Sequence, residues 1–139
     1  MRSPGTNIGG ALRSALKLAS RRDFERWAGH GGSTGAPPQP LIVFLSDGLP
    51  TVGTLSANRI LAATRAANAE TRASIFSLSF GSRANWRFLQ KVSLQNHGFA
   101  RRVYEAGDAA QQLHDFYREI SSPLLTNVTF NYIVLKVSR

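Results

Sequence analysis

The chain has 139 residues, no cysteine, and a formal net charge of +9 from 17 Lys and Arg against 8 Asp and Glu. That length suffices for one domain with its own core, and 42% hydrophobic with 18% charged residues is the composition of a folded chain rather than a disordered one. Disulfides and thiolate metal sites are excluded, no stretch is apolar enough for a membrane span, and the positive surplus suits polyanionic partners without specifying a fold.

Met1-Arg2-Ser3-Pro4-Gly5 lacks the apolar core of a secretory leader, so the chain taken literally is expected in the cytosol. Thr6 or Asn7 is a good N-cap, and the segment after it reads as a helix to about Trp27. Ile8, Leu12, Ala15, Leu16 and Ala19 form its apolar stripe, and Arg13, Lys17 and Arg21 a basic ridge four residues apart. Residues 29–40, rich in Gly and Pro, read as a mobile loop.

The apolar run 41–45, Leu-Ile-Val-Phe-Leu, reads as a buried parallel strand ended by Ser46-Asp47-Gly48. A helix over about 56–70 follows, with Ile60, Leu61, Thr64 and Ala67 facing inward. Residues 74–80 alternate with period two and read as a strand. A short helix over about 85–94 presents Trp86, Leu89 and Val92, and Asn96-His97-Gly98 closes it. Residues 99–104 read as a strand, and Asp108 caps a helix to about Ile120 with Leu113, Phe116, Tyr117 and Ile120 as its core stripe. Pro123 ends it, and the alternation of Val128, Phe130, Tyr132 and Val134 marks a further strand over 124–137. Helices alternating with strands call for a parallel sheet flanked by helices.

In open α/β sheets ligands gather at the carboxyl ends of strands, which is where Asp47 falls. Thr6, on a second loop, could offer a hydroxyl to the same hard cation. His30, His97 and His114 share no metal-ligand spacing, and the Gly-rich loop lacks the Lys-Ser/Thr ending of a phosphate loop. Trp27 and Trp86 read as packing residues rather than stacking platforms. Asn127-Val128-Thr129 is an N-glycosylation pattern that works only in a secreted chain.

The segment 44–53, Phe-Leu-Ser-Asp-Gly-Leu-Pro-Thr-Val-Gly, resembles the metal-loop segment of the von Willebrand factor type A domain, in the form found in inter-alpha-trypsin inhibitor heavy chains. The resemblance continues through residues 74–81, 99–105, 115–120 and 123–126, and Gly5-Thr6-Asn7-Ile8 is similar to the family's threonine loop. It implies a partial doubly wound parallel α/β sheet lacking its first strands. A truncated type A domain would occupy residues 1–123, and an extra C-terminal β-strand and tail residues 124–139.

The family's cation site joins an Asp-x-Ser-x-Ser loop, a threonine and an aspartate. The resemblance puts Thr6 and Asp47 in the last two roles. The Asp-x-Ser-x-Ser loop does not occur in this sequence. A divalent cation, Mg²⁺ or Mn²⁺, is therefore expected to bind weakly, because Mg²⁺ wants about six oxygen ligands. The ending, Ile-Val-Leu-Lys-Val-Ser-Arg over 133–139, departs from the family's pattern and suggests a truncated isoform.

Three functions are compatible with these residues. The resemblance implies a non-enzymatic binding module of a secreted glycoprotein, associated with a bikunin-type protease inhibitor and with hyaluronan in extracellular matrix. Protein recognition through the Thr6 and Asp47 face is what this segment could retain. A second reading is binding of heparin-like glycan or nucleic acid through Arg13, Lys17, Arg21, Arg22, Arg101 and Arg102. An enzyme using Asp47 as acid or nucleophile would want a second carboxylate and a phosphate-gripping loop, and neither occurs. Without its neighbours, the 41–45 strand is expected at a sheet edge, where exposed apolar residues invite pairing.

Overall fold

The structure is a computed structural model and describes residues 5–20, 39–81, 83–104 and 108–121. Its elements, in chain order, are α1 (Ile8–Leu18), β1 (Leu41–Ser46), α2 (Ala57–Thr71), β2 (Ser74–Phe80), α3 (Trp86–Leu94), β3 (Ala100–Val103) and α4 (Ala109–Ser121). The strands form one parallel sheet in the order β1-β2-β3. This is the mixed α/β architecture expected from the alternation of elements, and it is consistent with a partial von Willebrand type A-like fold. The further strand expected over 124–137, Asn127 and the 29–38 part of the Gly/Pro-rich loop lie outside the described residues.

Register follows from the pleat. Leu41 pairs with Ser74, Val43 with Phe76 and Leu45 with Leu78, so these odd-numbered β1 residues share a sheet face with Phe76 and Leu78. Ile42 and Phe44 share the other face with Ile75 and Ser77. On the Ile75 face, Ile8, Leu12, Leu16, Ile60, Leu61, Phe88, Leu89 and Val92 close a first core beneath α1, α2 and α3. On the opposite face, Phe76, Leu78, Val103 and Phe116 form a second core beneath α4. Phe76, Phe99 and Phe116 meet edge to face, with centroids 5.0, 5.8 and 6.4 Å apart, a geometry that adds to their burial.

β2 is the central strand, paired with β1 and β3 and covered on both faces; its Ser77 and Ser79 are as enclosed as its Ile75 and Leu78. Ser77 escapes an unpaired hydroxyl because Ser93 Oγ donates to its Oγ at 2.8 Å. The α3–β3 connection passes so close to β2 that a Cβ on Gly98 would fall 2.0 Å from the Ile75 carbonyl oxygen. Only glycine permits that approach.

Four expectations need correction. Helix α1 ends at Leu18 rather than near Trp27, with the Ala19 N–H closing onto the Ala15 carbonyl at 2.9 Å. Residues 21–27, the remainder of the helix expected to about Trp27, lie outside the described residues. On α2 the inward position is Asn68, not Ala67, which is exposed. Asn68 continues the stripe of Ile60 and Thr64 at four-residue spacing and is held inside by hydrogen bonds. Tyr117 lies outside the α4 core, one position round the helix from buried Phe116. β1 is parallel and stands at an edge of the described sheet, as expected for this strand without its neighbours, but the reading of it as buried fails, with Leu41, Val43 and Leu45 exposed.

Candidate functional site: the loop after β1

The site is built where β1 ends. Ser46 is buried and its hydroxyl donates to the Gly48 carbonyl at 3.3 Å, turning the chain at Asp47. Asp47 is exposed at the carboxyl end of an edge strand. The loop then runs back to the start of α1. The Thr6 N–H donates to Thr51 Oγ1 at 2.8 Å, and the Thr6 carbonyl accepts from the N–H groups of Thr51 and Val52 at 2.9 and 3.2 Å.

These three bonds stitch the threonine segment to the loop that carries Asp47. Asn7 completes the junction: its Oδ1 caps α1 by accepting from the Gly10 N–H at 2.8 Å. Gly53, with φ of +75°, lies so close to Asn7 that a Cβ there would sit 2.7 Å from Oδ1. The Thr6 side chain is exposed and is left available by contacts made through its backbone.

The resemblance implies a divalent cation here. The donors present are an exposed hydroxyl and an exposed carboxylate on two adjoining segments. Both are hard oxygen donors, right in kind for Mg²⁺ but short of the about six ligands it requires. Among the described residues, no three His, Asp or Glu side chains gather into a further ligand set. The residues fit part of a site.

The basic residues do not form a single patch. Arg13 and Lys17 are exposed on α1, which packs on α2 and β1. Arg101 and Arg102 belong to β3, at the other side of the sheet, and successive strand residues face opposite ways. Arg101 is ion-paired with Glu119 of α4 and lies 5.9 Å from the Phe99 centroid. Arg102 stacks over the Trp86 ring at 4.8 Å, in the range of a cation–π contact. Arg21 and Arg22 lie outside the described residues.

Trp86, expected to pack inward, is therefore a half-buried shelf for Arg102. With Tyr104, Gln112 and Asp115 the pair lines an open groove of about 610 Å³, which periodicity alone did not signal. His97 and His114 are exposed, on a turn and on α4, and His30 lies outside the described residues.

A parallel sheet with helices on both faces, ending in an acidic loop bonded to a threonine-bearing segment, defines a partial type A-like unit. No family model matches the chain. It is 44% identical over 128 residues to human inter-alpha-trypsin inhibitor heavy chain H6, covering 92% of this chain and 9% of that protein. Identity is 41% over 128 residues to bovine heavy chain H4, covering 92% of this chain and 13% of that protein. To human heavy chain H2 it is 38% over 130 residues, covering 94% and 13% respectively. Over this matched stretch the chain belongs to the inter-alpha-trypsin inhibitor heavy chain family. It spans between 9 and 13% of the length of these relatives.

Proposed function

We propose that the chain is a non-enzymatic binding module that recognises protein ligands through the face formed by Thr6 and the Asp47 loop. The carrying observation is the bonding of the Thr6 backbone to the Thr51 hydroxyl and to the N–H groups of Thr51 and Val52, which keeps a hydroxyl-bearing and a carboxylate-bearing segment together. Heavy-chain kinship supports an extracellular setting, with a bikunin-type protease inhibitor and hyaluronan as the partners of the longer protein. A weakly held Mg²⁺ or Mn²⁺ would be shared by Thr6 and Asp47, water filling its remaining positions. Bound there, the cation would supply a positive centre for a partner's carboxylate. Thr6 and Asp47 would hold and orient it.

The test is biolayer interferometry of the immobilised 139-residue chain against a bikunin-type inhibitor, in Mg²⁺ and in EDTA. Cation-dependent binding that disappears in Asp47→Ala supports the proposal. Binding that is indifferent to both EDTA and Asp47→Ala refutes the assigned face.

The exposed pair Arg13 and Lys17 on α1, and Arg102 on its Trp86 shelf, favour a second reading, in which the module holds a heparin-like glycan. Elution from heparin at salt no higher than a charge-matched control would remove it.

A further inference from the structure

We propose that the furrow between α2 and α3 is a binding site for a sulfated, heparin-like glycan chain, gripped by Arg65 and Lys91 from opposite walls. The inference rests on the second reading above and moves its surface away from α1. A cavity of about 620 Å³ lies between the two helices and carries both cations. It runs on into one of about 470 Å³ that shares Arg65, Ala69 and Gln95 and adds Arg72 and His97. α2 and α3 pack against one another and build both walls, so the shape of the furrow does not depend on what continues the sheet beyond β1.

Charge is what the furrow offers. Arg65, Arg72 and Lys91 are exposed, and among the described residues none of these three side chains has an ion pair or a hydrogen bond. Arg101, by contrast, is neutralised by Glu119, and Arg102 lies over the Trp86 ring. Glu70 is the sole acidic residue of α2 and α3, and it lines neither cavity. Residues 1–4, 21–38 and 122–139 each carry more Lys and Arg than Asp and Glu, so none of them brings net negative charge to the site. A cleft lined by one sign of charge focuses its potential and draws counter-ions. Arg72 is the C-cap of α2, where the helix's carbonyl end offsets part of its pull. Arg65, about 10 Å back along the axis, is clear of that end.

The lining selects the class of anion. Its apolar surface is Leu61, Ala62, Ala66 and Ala69, a shallow floor without a pocket for the anchoring side chain of an acidic peptide. Among the described residues no Phe, Tyr or Trp lines it, so a nucleobase finds nothing to stack on. Asn58 and Gln95 instead set amides beside the cations, donors and acceptors that suit the hydroxyl and sulfate oxygens of a sugar chain.

The test is surface plasmon resonance of the full 139-residue chain over immobilised heparin across a salt series. Circular dichroism checks that each variant keeps the wild-type helix content, as substitution of exposed helical residues by Ala should allow. Arg65→Ala/Lys91→Ala and Arg13→Ala/Lys17→Ala remove equal charge. The first pair should weaken binding about tenfold or more and lower the slope of log K against log salt by about 1–2, as two counter-ion-releasing contacts are lost. The second should cost less than about threefold and leave the slope unchanged. Wild-type binding no tighter than that of a charge-matched control removes the second reading, and this inference with it. Wild-type binding above that control, with both pairs losing equally or only the α1 pair losing, leaves that reading standing and overturns the furrow. Soluble heparin should compete at far lower concentration than poly-glutamate or single-stranded DNA of equal charge; equal competition by either overturns the glycan assignment.

Discussion

Replacing Asn68 tests whether the polar clasp in the first core is structural. Asn68 is 4% exposed and joins three elements through one amide. Its Nδ2 donates to the Ala73 carbonyl at 2.8 Å and to Asn96 Oδ1 at 2.9 Å, and its Oδ1 accepts from the Ala73 N–H at 2.8 Å. Asn96 is in turn fixed by donating its own Nδ2 to the Val92 carbonyl at 2.7 Å. The end of α2, the start of β2 and the end of α3 thus depend on one side chain for their alignment. Asn68→Ala strips partners from two backbone groups and one amide oxygen. Each orphaned buried group costs about 1–3 kcal/mol, and water entering the vacated space would restore part of that. The net loss should be about 2–4 kcal/mol, or a fall in Tm of roughly 6–16 °C at this chain length.

Asn68→Asp separates the bonds by sign. A carboxylate still accepts from the Ala73 N–H but turns lone pairs toward the Ala73 carbonyl and Asn96 Oδ1. Burial disfavours its charge, so its folded pKa rises above the unfolded value of about 3.9. A group raised on folding contributes stability that is complete below the unfolded pKa and is lost as pH climbs through the folded one. The variant should therefore be closest to wild type near pH 4 and fall further behind by pH 7.5, where it should be worse than Asn68→Ala. Urea denaturation at both pH values measures this. A pH-independent difference from wild type, or an Asn68→Ala cost below about 1 kcal/mol, would refute the assignment of these bonds as stabilising.

Gly98→Ala forces the α3–β3 connection off β2, because its Cβ would meet the Ile75 carbonyl oxygen; a loss of about 2 kcal/mol or more is expected in thermal melts. Phe116→Ala opens the second core and ends two edge-to-face contacts, at about 3–5 kcal/mol in denaturant titration. Arg101→Ala breaks an exposed pair with Glu119 and a long contact with the Phe99 ring, and should change stability by less than about 1 kcal/mol in the same assay. Isothermal titration with Mg²⁺ should give affinity no tighter than about millimolar, as for the loosest oxygen sites, and Asp47→Ala should abolish it; micromolar affinity would show that the ligand set is more complete than Thr6 and Asp47.

Strand positions were legible because their signals are local. The apolar run before Asp47 and the alternation over residues 74–80 predict β1 and β2 to within a residue. Side-chain roles set by tertiary contacts were not. Asn68 is polar and reads as solvent-facing until Ala73 and Asn96 are seen around it, and Ala67 reads as apolar although nothing covers it. Tyr117 failed in the same way, since apolar class says nothing of a one-position rotation past Phe116. At the site, the place of Asp47 follows from the strand that precedes it. Thr6 is attached through its own backbone atoms, two of the three bonds to backbone N–H groups and one to the Thr51 hydroxyl, so its own residue type leaves no trace of it, and only the family resemblance pointed to it.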